Sequence, residues 1–179
     1  MIYYTSDLHL GHKNIIKYEN RPFADVEEMN EKLIENWNSV VKPEDTVYHL
    51  GDFAIKGANM NLDRIVEIYN RLNGDKYMIV GNHDVPYIDK IADKLQHKPQ
   101  LLTEIKDGDD YVVLCHYPIE DWDCKHHGAM HVHGHIHGRD IISHIPNRFN
   151  AGVDVNNYKP VTLEELKKGA SAIWDFMKL

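Results

Sequence analysis

Five short polar clusters, each set directly after an apolar stretch of strand length, constrain this 179-residue sequence more than any other feature. They are Asp7-x-His9, Gly51-Asp52, Gly81-Asn82-His83-Asp84, His116 and Gly134-His135-Ile136-His137. The stretches before them (Ile2 to Thr5, Thr46 to Leu50, Lys76 to Val80, Tyr111 to Leu114 and Ala129 to Val132) read as strands. Ligand sites in α/β folds gather at the carboxyl ends of strands. The clusters can therefore converge on one site although they lie far apart in the chain.

Between the early strands the apolar period changes from two to 3.6. Val26, Met29, Leu33, Ile34, Trp37, Val40 and Val41 form one stripe, with Asp25 and Glu28 placed as a capping box and Pro43 beyond the end. Leu62, Ile65, Val66, Tyr69 and Leu72 form a second stripe, stopped by Asn73-Gly74, and a shorter helix is expected from about Tyr87 to Leu95. The second half reads as mostly β. Leu101 to Lys106 and Tyr111 to Leu114 flank a hairpin turn at Asp107-Gly108-Asp109-Asp110, and further strands are expected over Ile141 to Ile145 and Phe149 to Val155. Thr162 to Lys168 reads as a short helix with a Thr162/Glu165 capping box. Helices alternating with strands early and hairpins late predict a layered α/β chain, with a mixed sheet or a two-sheet sandwich. The length suits a single domain spanning 1–179.

Composition narrows the function. No apolar run approaches the roughly 18 residues needed to span a bilayer, and the N-terminus lacks the features of a signal peptide. Two cysteines are too few for a disulfide framework, which points to the cytoplasm. The net charge of −8 argues against a long nucleic acid as partner. Thirteen histidines are an excess that invites a search for metal spacing. The clusters mix carboxylates, imidazoles and one carboxamide, a donor set that suits Mn²⁺, Fe²⁺ or Zn²⁺ better than Mg²⁺ or Ca²⁺. They contain no cysteine, unlike a structural zinc knuckle. His135 and His137 are two apart, so in an extended segment both imidazoles face the same way.

In this order the clusters resemble the motifs of the calcineurin-like metallophosphoesterase superfamily: Asp-x-His, Gly-Asp, Gly-Asn-His-Asp/Glu, a lone His and Gly-His-x-His. The resemblance spans Asp7 to His137, and the stretch through Asn14 with Arg21-Pro22-Phe23 is similar to the small single-domain bacterial and phage members. It implies two mixed β-sheets packed as a sandwich and flanked by helices. It implies two divalent metal ions, one held by Asp7, His9 and His137 and one by Asn82, His116 and His135, with Asp52 bridging them. It also implies that His83 binds neither ion and protonates the leaving group. A carboxylate has the two oxygens such a bridge requires. Paired metals can clamp an in-line displacement, and a water shared between them becomes hydroxide near neutral pH. Asp84 is expected either to orient the His83 ring, and so share in catalysis, or to cap a turn. Arg139, Arg21 and His12 are the candidates for substrate contact. The expected reaction is hydrolysis of a small phosphate ester, a phosphodiester first, by a protein with no membrane partner. A phosphomonoesterase or a nuclease using the same site is the alternative. A non-catalytic scaffold of this fold would be expected to have lost ligands or His83, and this sequence has lost none. His97, His126, His127, His131, His133 and His144 read as surface or core histidines without a role in the chemistry.

Overall fold

A computed structural model describes residues 1–139 and 145–177, with only the backbone described from 171 onward. Strand β1 (Ile2–Thr5) is followed by a short helix α1 (Ile15–Tyr18), the long α2 (Val26–Val40) and β2 (Thr46–His49). Next come α3 (Leu62–Arg71), β3 (Asp75–Met78) and α4 (Ile88–Ile91). The rest of the chain supplies β4 (Leu102–Asp107), β5 (Asp110–Cys115), β6 (Met130–His133), β7 (Arg148–Asn150) and α5 (Leu163–Met177).

The strands form two sheets, of order β1-β2-β3 and β4-β5-β6-β7. The first is parallel throughout, with Ile2 opposite Thr46 and Thr46 opposite Asp75. The second is mixed: β4 and β5 are an antiparallel hairpin, whereas β5, β6 and β7 run parallel. Successive side chains point to opposite faces of a strand. Tyr3 and Val47 therefore pack with Leu33, Trp37, Ile65 and Ile68 of α2 and α3, while Tyr4 faces the other sheet. Between the sheets Tyr4, Leu50 and Ile79 meet Val112, Leu114, Val132 and Phe149, and Leu163 and Leu166 of α5 close that layer. This is the helix-flanked two-sheet sandwich the sequence implied.

Several elements differ from the sequence reading. The third helix shrinks to α4 and continues as a 3-10 turn, Ala92–Lys94, because beyond Tyr87, Ile88 and Ile91 no residue of that stretch is buried. The strand expected over Phe149 to Val155 ends at Asn150, and a 3-10 turn occupies Val153–Val155. The expected Thr162 to Lys168 helix extends to Met177, and its capping box forms as anticipated: the Thr162 N–H donates to Glu165 Oε2 at 2.7 Å. Among the described residues there is one late hairpin, β4–β5. Parallel neighbours need long connections, and segment 116–129 between β5 and β6 provides one, pinned by Trp122 and Ala129 packed on Val113. The strand expected at Ile141 to Ile145 falls on residues outside the described ones, apart from Ile145.

Parallel pairing within each sheet places the carboxyl ends of β1, β2 and β3 together, and likewise those of β5, β6 and β7. The loops beyond them are stitched together both within and across the sheets. Within them the Asp7 N–H donates to Gly51 O and the Gly134 N–H to His116 O, each at 3.0 Å, and across the sandwich the Ser6 N–H donates to Ala151 O at 3.1 Å.

Candidate metal centre

The loops that leave the strands bend sharply. Asp7, His9, Asp52, His135 and His137 all adopt left-handed backbone, with φ of 59°, 52°, 57°, 72° and 49°. Each such non-glycine residue costs on the order of 1–3 kcal/mol and persists only where its surroundings dictate it. Five of the seven candidate ligands thus share a strained conformation that turns each side chain inward beyond its strand end. Two glycines let the loops approach one another. A Cβ on Gly81 would lie 2.3 Å from Asp52 Oδ1, and one on Gly134 would lie 2.5 Å from Asp7 Oδ2.

Asp52 sits at the middle of the assembled groups. Its Oδ2 is 3.5 Å from His9 Nε2, 3.5 Å from His116 Nε2 and 4.0 Å from His83 Nε2. Its Oδ1 accepts the His83 N–H at 2.9 Å. On one side Asp7, His9 and His137 bring ligand atoms within 4.8 Å of one another, and on the other Asp52, His116 and His135 do the same. The exposed Asn82 places Oδ1 3.1 Å from His116 Nε2. Asp7 is fixed by the Ser6 hydroxyl, which donates to Oδ2 at 2.6 Å, and by the His135 N–H at 3.0 Å. The ring of His116 is fixed by Leu50 O, 2.7 Å from Nδ1, which leaves Nε2 facing the cluster. Imidazole ligands are commonly oriented in this way through their second nitrogen.

The electrostatics fit a cation. Burial pushes the Asp7 carboxyl up to about 6, against the lowering influence of His137, His116 and the Ser6 hydroxyl. Burial pushes His9 down to about 2, although Asp52 opposes it. For Asp52 burial acts upward, but the hydrogen bond and charge of His116 with the His83 N–H outweigh it and hold the group near 2. His9 Nε2 is buried without a hydrogen-bond partner, and an unpartnered buried nitrogen is costly. A divalent cation would satisfy that nitrogen and compensate both carboxylates. The residues present therefore fit the metal ions that the sequence implied.

Two further expectations are corrected. Asp84 does not orient the His83 ring. It is fully buried, and its two oxygens accept the N–H groups of Asp52, Phe53 and Gly81 at 2.8, 2.9 and 2.9 Å as well as the Tyr87 hydroxyl. It fastens the Gly51-Asp52 loop to the Gly81-Asn82-His83 loop, which answers the alternative in favour of turn capping. Arg21 is not at the substrate rim. Its buried guanidinium pairs with Asp154 through Nε at 2.8 Å and Nη2 at 2.9 Å. His12 is half-buried, with Nδ1 3.4 Å from His9 Nδ1, and Arg139 is exposed just beyond His137. His131 and His133 are buried in β6, His97 stacks on Tyr77 with ring centroids 3.8 Å apart, and His144 lies outside the described residues. The sequence reading missed Asp154, whose Oδ2 lies 2.7 Å from His137 Nδ1. The strand expected over Phe149 to Val155 hid it: with β7 ending at Asn150, Asp154 lies in the turn beyond the strand rather than inside it.

The sequence profile of the Calcineurin-like phosphoesterase family matches residues 1–139. The chain belongs to that family. An uncharacterized protein of Methanocaldococcus jannaschii is 38% identical over 172 residues, covering 93% of this chain and 89% of that protein. The gene 66 protein of Mycobacterium phage L5 is 32% identical over 179 residues, covering 85% and 86%. A crystal structure of a protein of unknown function from Aquifex aeolicus superposes with a TM-score of 0.74 at 26% identity, covering 94% of this chain and 98% of that one. The part matched to the calcineurin-like phosphoesterases contains every candidate ligand from Asp7 to His137, whereas Asp154 lies beyond it. Family membership and the His/Asp clusters together support a metal-dependent phosphoesterase. Among the described residues no helix is long and apolar enough to cross a membrane.

Proposed function

We propose that this calcineurin-like phosphoesterase hydrolyses small phosphodiesters with two divalent ions held by Asp7, His9, Asp52, Asn82, His116, His135 and His137, and that His83 protonates the leaving group. The observation that carries the two-ion reading is the position of Asp52 Oδ2, 3.5 Å from His9 Nε2 of one cluster and 3.5 Å from His116 Nε2 of the other. When bound, such ions supply charge neutralisation at the phosphate and acidify water. The chain's own groups do the rest. The His83 side chain is 45% exposed and its ring lies 5.1 Å from that of His9, so it stands at the mouth of the site rather than inside it. That is where a departing alkoxide would be, and such an alkoxide needs a proton. The Asp52 carboxylate anchors the His83 backbone and so sets where the ring stands.

The rim favours a phosphate carrying two substituents. Tyr18 is 68% exposed and Tyr117 44% exposed, the first in ring contact with His12 and the second with His116 and His135. They offer apolar surface on two sides of the centre. Selecting a monoester dianion would call for extra positive groups, and Arg21 is already committed to Asp154, leaving Arg139 as the remaining arginine candidate. The net charge of −8 opposes long polyanions. A second reading rests on one observation: His9, Asp52 and His83 also bring ligand atoms within 4.8 Å, so His83 could itself be a ligand.

Two measurements decide. The Mn²⁺-loaded protein should show higher kcat/KM on a bis-aryl phosphodiester than on the matching monoester. A clear monoester preference rejects the diester assignment, and RNA cleavage that falls steeply with salt supports the nuclease instead. His83→Ala should keep two ions and lose about 10²–10⁴-fold in turnover when the leaving group is an alkoxide, and much less for p-nitrophenolate. A lost ion supports the ligand reading. An equal loss on both leaving groups rejects the acid role.

A further inference from the structure

We propose that the buried Arg21–Asp154 pair is a positioning device for one half of the metal centre, that of Asp7, His9 and His137, and that it leaves the other half untouched. This rests on the two-ion reading above. The Arg21 and Asp154 side chains are 0% and 5% exposed. A buried ion pair gains little net stability over an apolar replacement, so the contacts the pair makes beyond itself matter more than the pair.

Apart from Arg21 Nη1 to Met29 Sδ at 3.5 Å, those contacts go to one cluster. Arg21 Nη2 donates to Asp7 O at 2.7 Å and Nη1 to Leu8 O at 2.8 Å. Two carbonyls are thereby fixed in the loop whose Asp7 and His9 are held in left-handed backbone. A planar guanidinium with five donors can grip a carboxylate and two carbonyls at once, which a lysine cannot. Asp154 Oδ2 takes the third member, 2.7 Å from His137 Nδ1. A carboxylate can only accept there, so the proton of a neutral His137 sits on Nδ1 and the Nε2 lone pair is left for a cation. Arg21 follows α1 and Asp154 lies in the 3-10 turn after β7, so the pair joins the first motif to a segment beyond the last one. The opposite cluster is held by different groups: the Asp52 N–H by Asp84, and His116 Nδ1 by Leu50 O.

Asp154→Asn tests this at nearly constant shape. Oδ1 and Oδ2 both face N–H donors of Arg21, and Oδ2 also faces His137. An amide NH₂ must therefore meet a donor whichever way it turns. Placed toward His137, it pulls the ring into the other tautomer, with the proton on Nε2. The chelated protein is titrated with Co²⁺ and followed by visible absorption and calorimetry, with near-UV circular dichroism to confirm the fold. The wild type should bind two ions. In Asp154→Asn one of them should bind about 10–100-fold more weakly, with an altered Co²⁺ spectrum, while the other changes by less than about threefold. Equal weakening of both ions, or no change in either, overturns the inference while the two-ion reading stands. A wild type that binds fewer than two ions overturns both. If Asp154→Asn does not fold, Arg21→Lys, which keeps the buried charge but gives up the fork, is judged by the same selectivity.

Discussion

A histidine's neighbours decide whether it can charge, and His49 is a case that residue type alone leaves open. It is fully buried at the end of β2, close to Trp37 and Phe53, and its Nε2 has no hydrogen-bond partner. Burial pushes it down to about 3, with Asp52 opposing. Its folded pKa thus lies below the unfolded value of about 6.5. Above pH 6.5 neither state binds the proton and the group is neutral to stability. Below it the unfolded chain takes up a proton that the folded one refuses, so stability falls as pH drops from 6.5 toward 3. By pH 5 that loss amounts to about 2 kcal/mol from this residue. Urea unfolding of the chelated protein at pH 7.5 and 5.0 should show His49→Gln losing less stability than the wild type by that amount. The same pH dependence in both proteins would mean that His49 charges freely in the fold.

At the scale of elements, α2 shows how local signals and tertiary packing divide the work. Asp25 caps it, with Oδ1 accepting the N–H groups of Glu27 and Glu28 at 3.0 and 2.9 Å. The reciprocal arm differs from a standard capping box: Glu28 returns to the Ala24 N–H at 2.6 Å, one residue earlier. On the inner face Met29, Leu33, Ile34 and Trp37 are buried against the first sheet, and Trp37 Nε1 donates to Asn73 O at 3.0 Å. Helices in proteins owe most of their stability to such a face rather than to caps. Asp25→Ala should cost about 1 kcal/mol, whereas Trp37→Ala should cost about 3–5 kcal/mol through lost burial and a cavity. Thermal denaturation of the two variants checks the ranking. Equal losses would show that α2 is not anchored through Trp37.

Over the whole molecule, the site is a junction of loops from both sheets, so whatever binds there ties the sandwich together. A ligand that binds only the folded state stabilises by about 4 kcal/mol when its free concentration is 1,000 times its Kd. For a chain of this size that corresponds to roughly 8–16 °C in Tm per site. Chelation should lower Tm by that order and Mn²⁺ should restore it. A Tm indifferent to both would reject metal binding by the native state.

The sequence by itself determined where most strands and helices begin and where the polar clusters fall along them, because periodicity, caps and turn residues act over a few neighbours. It thereby carried Asp7, His9, Asp52, Asn82, His83, His116, His135 and His137 to strand ends, where the structure brings them together. Partners chosen across long loops were decided only in three dimensions. Arg21 stands near the first motif and reads as a phosphate contact, yet it meets a carboxylate 133 positions away. Asp84 adjoins His83, which left orienting that ring and capping a turn both open, and it binds the N–H groups of a loop 31 and 32 positions back. The parallel course of β5 and β6 depends on how segment 116–129 packs Trp122 over the sheet. Such choices are settled by competition among buried polar groups for the few partners within reach. That competition exists only after the two sheets have closed on each other.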